Sequence, residues 1–380
     1  MQVEIIRNLE QLIPLREAWN AAVTDSNFDS VFVSHEWFYC WAKNFLADHE
    51  LLVPIVRDDN KIAGIFPLLL THEKHGPFKL TTLRSITNKQ SYKYNFIVSR
   101  TNTAEIISAM FRHINREIPW TKMVLDFIPA PSDNLPLLQQ MQGRAFYRMR
   151  TDIQMESPYV TITGTWDEYI AKRDKKVRKN WDYFERKLEK EGTTELNTVS
   201  TGQDLQQAID TALDIEKSSW KGDKGTAIAN SESRSSFYAD LASAMSESDK
   251  FRLYFLNLNG QSIAFDYCLI HNDQFNVLKT GYNPEYSKSS PGRVLRKKIL
   301  RDLFDSDKYK TYDLLGARDN WKTEWTSDTQ TLQHVYIYNR RPVAILWYAA
   351  TALGERLKDI VRRYPGLYST IKKILSFKKK

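Results

Sequence analysis

The chain has 380 residues, 42% of them hydrophobic, with 18 Phe, 19 Tyr and 10 Trp, enough for two domains and a substantial core. Its net charge of +8 is unevenly placed: from Pro342 to Lys380 nine Lys or Arg stand against Glu355 and Asp359, which leaves the body nearly neutral. That distribution argues against a global basic field for nucleic acid, and two distant cysteines, Cys40 and Cys268, argue against a disulfide scaffold or a zinc site.

The N-terminal MQVEIIRNLE has neither a basic lead nor an apolar stretch of signal-peptide length, so a reducing cytosol is the expected location. Residues 8–24 read as a helix, and 51–70 as two β-rich runs split by Asp58-Asp59-Asn60. A strand over 94–99, a helix near 103–117 and a strand over 122–128 close the first half. Thr165-Trp166-Asp167-Glu168 is a capping box. The helical spacing of Trp166, Tyr169, Ile170, Val177, Trp181, Phe184 and Leu188 predicts one long helix over 166–191, stopped by Gly192.

Helices near 203–218 and 232–246 come next, and 251–282 reads as an antiparallel meander turned at Asn259-Gly260 and at His271-Asn272-Asp273. A polar loop (283–290), a helix from Pro291 to about Asp305, and strands over 309–315 and 334–339 follow. The halves echo one another, LLVPIVRDDNKIAGIFPLL against LYFLNLNGQSIAFDYCL, each followed by strand, helix and strand. An internal duplication follows: 1–158, 159–341 and a basic helical tail at 342–380, of α/β (α+β) class with mixed, mostly antiparallel sheets flanked by helices.

The segment that carries chemistry is Tyr282-Asn283-Pro284-Glu285-Tyr286-Ser287-Lys288-Ser289-Ser290-Pro291-Gly292-Arg293. Ser290 suits a helix cap, Pro291 the first helical position, and Gly292 lets another backbone or a ligand approach closely. Free N–H groups and the helix dipole, with Lys288 and Arg293 beside them, prepare an anion site. Taken alone, Ser-Pro-Gly more often merely starts a packing helix, and Leu295, Ile299 and Leu303 plainly pack.

The wider pattern decides between these readings. A basic helix (KRDKKVRKNWDYFERKLEKEG), Ser219 to Gly222, Ile263-Ala264 after a hairpin turn, Tyr282-Asn283-Pro284 with Ser-Pro-Gly, and Tyr312-Asp313-Leu314-Leu315 running to Lys322 and Trp325 occur in order. Over roughly 160–340 this resembles the cellulose-biosynthesis acetyltransferases of the acetyl-CoA-using N-acetyltransferase (GNAT) superfamily. It also looks like the aminoacyl transferases that build peptidoglycan cross-bridges, which pair two such halves. Asn283 replaces the usual Asp, Gly316-Ala317-Arg318-Asp319 blurs the usual Gly-Asp, and the superfamily's general (Arg/Gln)-x-x-Gly-x-(Gly/Ala) loop is not matched. The resemblance implies tandem GNAT folds, acetyl-CoA or another acyl-CoA held by Lys288, Ser289, Ser290, Gly292 and Arg293, and a degenerate first half that shapes the acceptor cleft.

Acyl transfer from a thioester needs a neutral amine or activated hydroxyl, a donor for the oxyanion and an acid for the thiolate, without covalent catalysis. Both cysteines read as packing residues. Asp266, Lys279 and Asp319 are the catalytic candidates, with a buried Asp266–Lys279 pair as the alternative. Trp220, Lys221, Tyr282, Lys322 and Trp325 are the substrate-binding candidates, against ordinary partly buried tryptophans. No histidine has ligand spacing, so no metal is expected.

The expected function is N- or O-acylation of a sugar, nucleotide-sugar or lipid-linked saccharide in surface-polysaccharide synthesis. The alternatives are aminoacyl-tRNA-dependent transfer to a cell-wall precursor, disfavoured by the nearly neutral body, and a non-catalytic binding protein of the same fold. No DNA partner is expected. The tail opens with eleven uncharged residues, VAILWYAATAL, short of the roughly twenty that span a bilayer. Its later apolar and basic faces predict peripheral contact with an anionic inner membrane surface, with packing as a final helix the alternative.

Overall fold

Runs of Leu, Val and Ile bounded by Asp, Asn and Gly set the strands, and the computed structural model describes residues 1–363 apart from 48, 77 and 219–230. The first half contains β1 (Gln2–Ile6), α1 (Arg16–Asp25), α2 (His35–Phe45), β2 (Glu50–Asp58), β3 (Lys61–Ile65), β4 (Leu68–His75), β5 (Phe78–Ser85), β6 (Ile97–Val98), α3 (Thr103–Glu117), β7 (Lys122–Ala130) and α4 (Asn134–Gln140). Next come β8 (Arg148–Thr161), α5 (Trp166–Ala171), α6 (Lys175–Glu191), β9 (Thr194–Val199), α7 (Leu205–Ser218) and α8 (Glu232–Ser246). The meander β10 (Phe251–Leu258), β11 (Gln261–His271) and β12 (Gln274–Tyr282) leads to α9 (Pro291–Ser306), β13 (Thr311–Asp313), α10 (Asn320–Thr323), β14 (Thr329–Tyr338) and α11 (Pro342–Arg363).

Helix α3 and the meander lie where the sequence places them. The Thr165 capping box forms as expected, but the long helix does not run through. Asp174 re-caps the chain, its carboxylate accepting from the N–H groups of Lys176 and Val177, and divides the segment into α5 and α6. The strand expected over 94–99 shrinks to Ile97–Val98, and that over 309–315 to Thr311–Asp313.

Among the described residues fourteen strands make one continuous sheet, in the order β6-β3-β2-β4-β5-β7-β14-β8-β13-β12-β11-β10-β9, with β1 paired to β2. Most neighbours are antiparallel; β5–β7 and β12–β13 are parallel. The last strand, β14, returns to lie between β7 and β8. Position 158 falls inside β8, which pairs with β14 along most of its length and with β13 at its end.

Three apolar cores follow. One packs α3 on the first half of the sheet, through Ile106, Met110, Phe111 and Ile114. Another packs α5, α6 and α9 on the second half, through Trp166, Trp181, Leu295 and Ile299. The third is shared: Trp37 and Trp41 of α2 join Ile209 of α7, Phe237 and Leu241 of α8, and the meander residues Phe255 and Tyr267. Shared burial of aromatic groups fixes the halves on each other.

Candidate active site

Strands β12 and β13 pair over only three positions, Gln274–Asn276 against Thr311–Asp313. Beyond these they diverge, and the gap opens into a cavity of about 460 Å³. Val277 to Tyr282 line one side, Leu314 to Gly316 the other, and Ser290, Gly292 and Arg293 at the start of α9 close one end.

The helix start departs from the expected capping. Ser290 is left-handed (φ 46°, ψ 54°) and its side chain makes no cap; its Oγ instead accepts from Arg293 Nη1 at 3.0 Å. The Ser290 carbonyl receives the Arg293 and Val294 N–H groups, and among the described residues the Gly292 N–H meets no acceptor. A Cβ built on Gly292 would meet nothing nearer than Tyr282 at 4.0 Å, and it would stand in open cavity. The sixteen residues of α9 bring the positive end of a helix dipole to this space.

Helix α6 holds the preceding loop. Lys187 Nζ donates to the Lys288 carbonyl at 2.9 Å, and Ser289 Oγ donates to Glu191 Oε1 at 2.7 Å. Asn283 caps the short turn after β12, its Oδ1 accepting from the Glu285 N–H at 3.1 Å, a task an aspartate performs equally. Lys288 is exposed. Arg293, expected as a full charge beside the anion, is already engaged: its Nε and Nη2 reach Glu324 at 2.8 and 2.7 Å. That bidentate bond raises its pKa against the lowering effect of burial.

Of the catalytic candidates, Lys279 and Asp319 border the same cavity and Asp266 does not. Asp266 is fully buried, and its partner is Arg296, which sequence reasoning missed, not Lys279. Arg296 Nη2 lies 3.1 Å from both carboxylate oxygens and 3.2 Å from Thr280 Oγ1, and Tyr312 Oη donates to Asp266 at 3.3 Å. Burial pushes the Asp266 carboxyl above its ordinary value, against the pull of Arg296, Thr280 and Tyr312. Arg296 lines the cavity, its guanidinium 4.4 Å from the Trp321 ring centroid, while its buried Nε has no hydrogen-bond partner among the described residues.

Lys279 opposes Tyr267, on the shared-core face, and sits 5.4 Å from the ring centroid of Tyr238. Asp319 stands at the cavity rim with its side chain 61% exposed.

Of the substrate-binding candidates, Tyr282 and Lys322 line the cavity. Lys322 is buried and donates to the carbonyls of Leu315 and Ala317, so it organises the loop after β13. Trp325 is a correction: it is fully buried and stacked on Trp181 with centroids 4.0 Å apart, a core residue with no face left for a sugar. Trp220 and Lys221 lie outside the described residues. Both cysteines are buried, and burial pushes the Cys40 thiol up to about 12 and Cys268 well above its ordinary value. Among the described residues no group of three or more His, Cys, Asp or Glu is placed to hold a metal.

A family match falls on this same half. Residues 175–323 match the family described as acetyltransferase (GNAT) domain; no curated protein matches the sequence. Among solved structures the chain is similar to FemX, at 11% identity over 91% of this chain and 99% of that one, with a TM-score of 0.60. A protein of unknown function from Bacteroides thetaiotaomicron VPI-5482 superposes with a TM-score of 0.56, at 13% identity over 88% of this chain and 100% of that one. The C-terminal domain of a putative lysylphosphatidylglycerol synthetase from Agrobacterium fabrum does so with a TM-score of 0.53, at 9% identity over 91% and 98%. At such identities the likeness is one of fold, and it runs through both halves of the chain; the acetyltransferase (GNAT) domain match lies on the half that opens the cavity.

Proposed function

We propose that the protein is an acyltransferase that uses acyl-CoA as donor and an amine or hydroxyl of a sugar, nucleotide-sugar or lipid-linked saccharide as acceptor. The observation that carries the donor assignment is the gap between β12 and β13, which ends at Gly292, whose N–H meets no acceptor among the described residues. Gly292, the start of α9 and the exposed Lys288 fit a pyrophosphate, since free N–H groups and a helix dipole favour an anion there. When bound, acyl-CoA supplies the acyl thioester. Tyr282 and Trp321 line the cavity and exclude water from the reacting end. Asp319, exposed at the cavity rim, and Lys322, which holds the loop after β13, are assigned to the acceptor side.

The nearly neutral body favours a small donor over tRNA. Among the described residues no helix is long and apolar enough to cross a membrane. Helix α11 packs Trp347 against His75 and Phe78 while leaving Val343, Leu346 and Leu353 exposed. This apolar stripe, ahead of the basic sequence that ends the chain, supports placing the enzyme against the anionic inner face of a membrane.

Calorimetry with acetyl-CoA tests the donor assignment, and saturable binding with Kd in the micromolar range is expected. Absence of binding up to millimolar acetyl-CoA overturns it. Co-sedimentation with anionic vesicles tests the tail: the full chain should bind in a salt-sensitive way and a chain ending at Arg341 should not.

A further inference from the structure

Two adjacent residues of the first half, Tyr92 and Lys93, stand where β12 and β13 part. Tyr92 Oη donates to the Leu278 carbonyl on β12 at 2.8 Å. Lys93 Nζ meets the Asp313 carboxylate at the end of β13 at 2.7 Å, with the two side chains 11% and 5% exposed. One dipeptide therefore grips both diverging strands, at the point where their own pairing has stopped.

The β13 side needs such a grip. After Asp313 the chain turns through Leu315 at φ 50° and Gly316 at φ 63°, and a leucine in the left-handed region carries about 1–2 kcal/mol of strain. Strain of this kind persists only where the surroundings over-determine the backbone. Here Asp313 Oδ1 accepts the Leu315 N–H at 2.8 Å, and Lys322 Nζ takes the carbonyls of Leu315 and Ala317. Lys93 anchors the same Asp313 from the other half, and the Tyr92 ring lies 3.7 Å from where a Cβ on Gly316 would stand. Leu314, Leu315 and Gly316 are the cavity wall held by these contacts.

We propose that Tyr92 and Lys93 form a wedge by which the first half sets the width of the cleft, acting as positioning residues for the Leu314–Gly316 wall. The degenerate half thus completes the site of the other half through two side chains. That the cleft receives an acyl-CoA rests on the reading above; the wedge itself does not.

Hydrogen exchange on the free, full-length protein decides the wedge independently of any ligand. In Lys93→Met, peptides covering 313–317 should exchange at least about tenfold faster, about 1.4 kcal/mol of lost protection, while β9 and β10 stay unchanged. Lys93→Arg, which keeps the ion pair, should behave as wild type.

The double variant Lys93→Met/Asp313→Asn removes the buried unpaired charge that destabilises the single one, and it carries the test if the single variant fails to fold. The wedge predicts fast exchange in the double variant as well. Return to wild-type exchange there, or no change in Lys93→Met, overturns the wedge.

Calorimetry with acetyl-CoA then separates the two readings. If wild type binds, Lys93→Met or the double variant should weaken binding at least about fivefold, and equal binding overturns the role in the cleft. If wild type does not bind, the donor assignment fails while the exchange result still decides the wedge.

Discussion

The two halves share a frame and put it to opposite uses. Helix α3 starts after a left-handed Asn102 and α9 after a left-handed Ser290. Each helix leads to a strand with a parallel neighbour, β7 beside β5 and β13 beside β12. In the first half the space under the helix is filled: Phe66, Tyr94, Phe96 and Phe111 are buried there, and Tyr94 Oη donates to the Pro67 carbonyl at 2.6 Å. In the second half Gly292 and Gly316 border a cavity instead. Side-chain size at a few positions turns one frame into core or into site, because a packed interior leaves no room for a ligand.

The polar groups differ in the same sense, and the largest expected effect tests this. The second half rests β11 on a buried charge pair, Asp266 with Arg296, whereas the first half uses neutral amides near β6, Asn27 to Asn134 at 2.8 Å and Asn134 to Asn95 at 2.9 Å. Asp266→Ala should cost about 3–5 kcal/mol in urea unfolding, because it strands the Arg296 charge. Asn27→Ala should cost about 1 kcal/mol. Equal losses at the two sites would erase the distinction.

A carboxylate placed at each helix start probes the next difference. Gly292→Asp should weaken acetyl-CoA binding at least about 100-fold, about 2.8 kcal/mol, with the circular dichroism spectrum unchanged. Thr103→Asp at the start of α3 should leave binding as it is. A smaller effect concerns the contact between halves, where Asp29 bonds His271 and Asn272. Burial alone would raise the Asp29 pKa, but the His271 hydrogen bond and charge bring it below its ordinary 3.8. The contact therefore contributes stability above about that pH and loses it as the pH falls through the lower folded value. Between pH 5 and pH 3 wild type should lose stability that Asp29→Asn does not lose, read from urea midpoints. Least of all should happen with thiol reagents: Cys40 in the first half and Cys268 in the second should both stay unlabelled in the native protein and both react once unfolded.

Local pattern made much of this legible. The Asn259-Gly260 turn, the Thr165 box and the helix after Pro291 are written in short windows, and α3 ends where its periodicity ends. Asp174 was the exception, since its carboxylate competes with a helix that the apolar spacing alone would continue. Of the cavity lining, Ser290 to Arg293 were legible on one segment, and Tyr282, Asp319 and Lys322 through the order of the wider pattern. Arg296 reads as one more cation on a helix until the sheet brings Asp266 beneath it. Tyr92 and Lys93 lie some 200 residues from the strands they grip, a distance at which no periodicity speaks. Trp325 failed for a related reason, because a tryptophan's type does not tell a stacked core ring from an open wall.

Strand β14 has a consequence for the order in which the molecule is made. It is the last of the described strands to leave a ribosome, yet it sits between β7 and β8. Until Thr329–Tyr338 emerges, β7 lacks that neighbour and presents an open ladder along its length. Such distant pairing is slow to form, so the nascent chain carries an unfinished edge from the emergence of Ala130 until that of Thr329. A ribosome-bound chain arrested before residue 329 should expose that edge to proteolysis or to chaperones, and one arrested with β14 outside the exit tunnel should not.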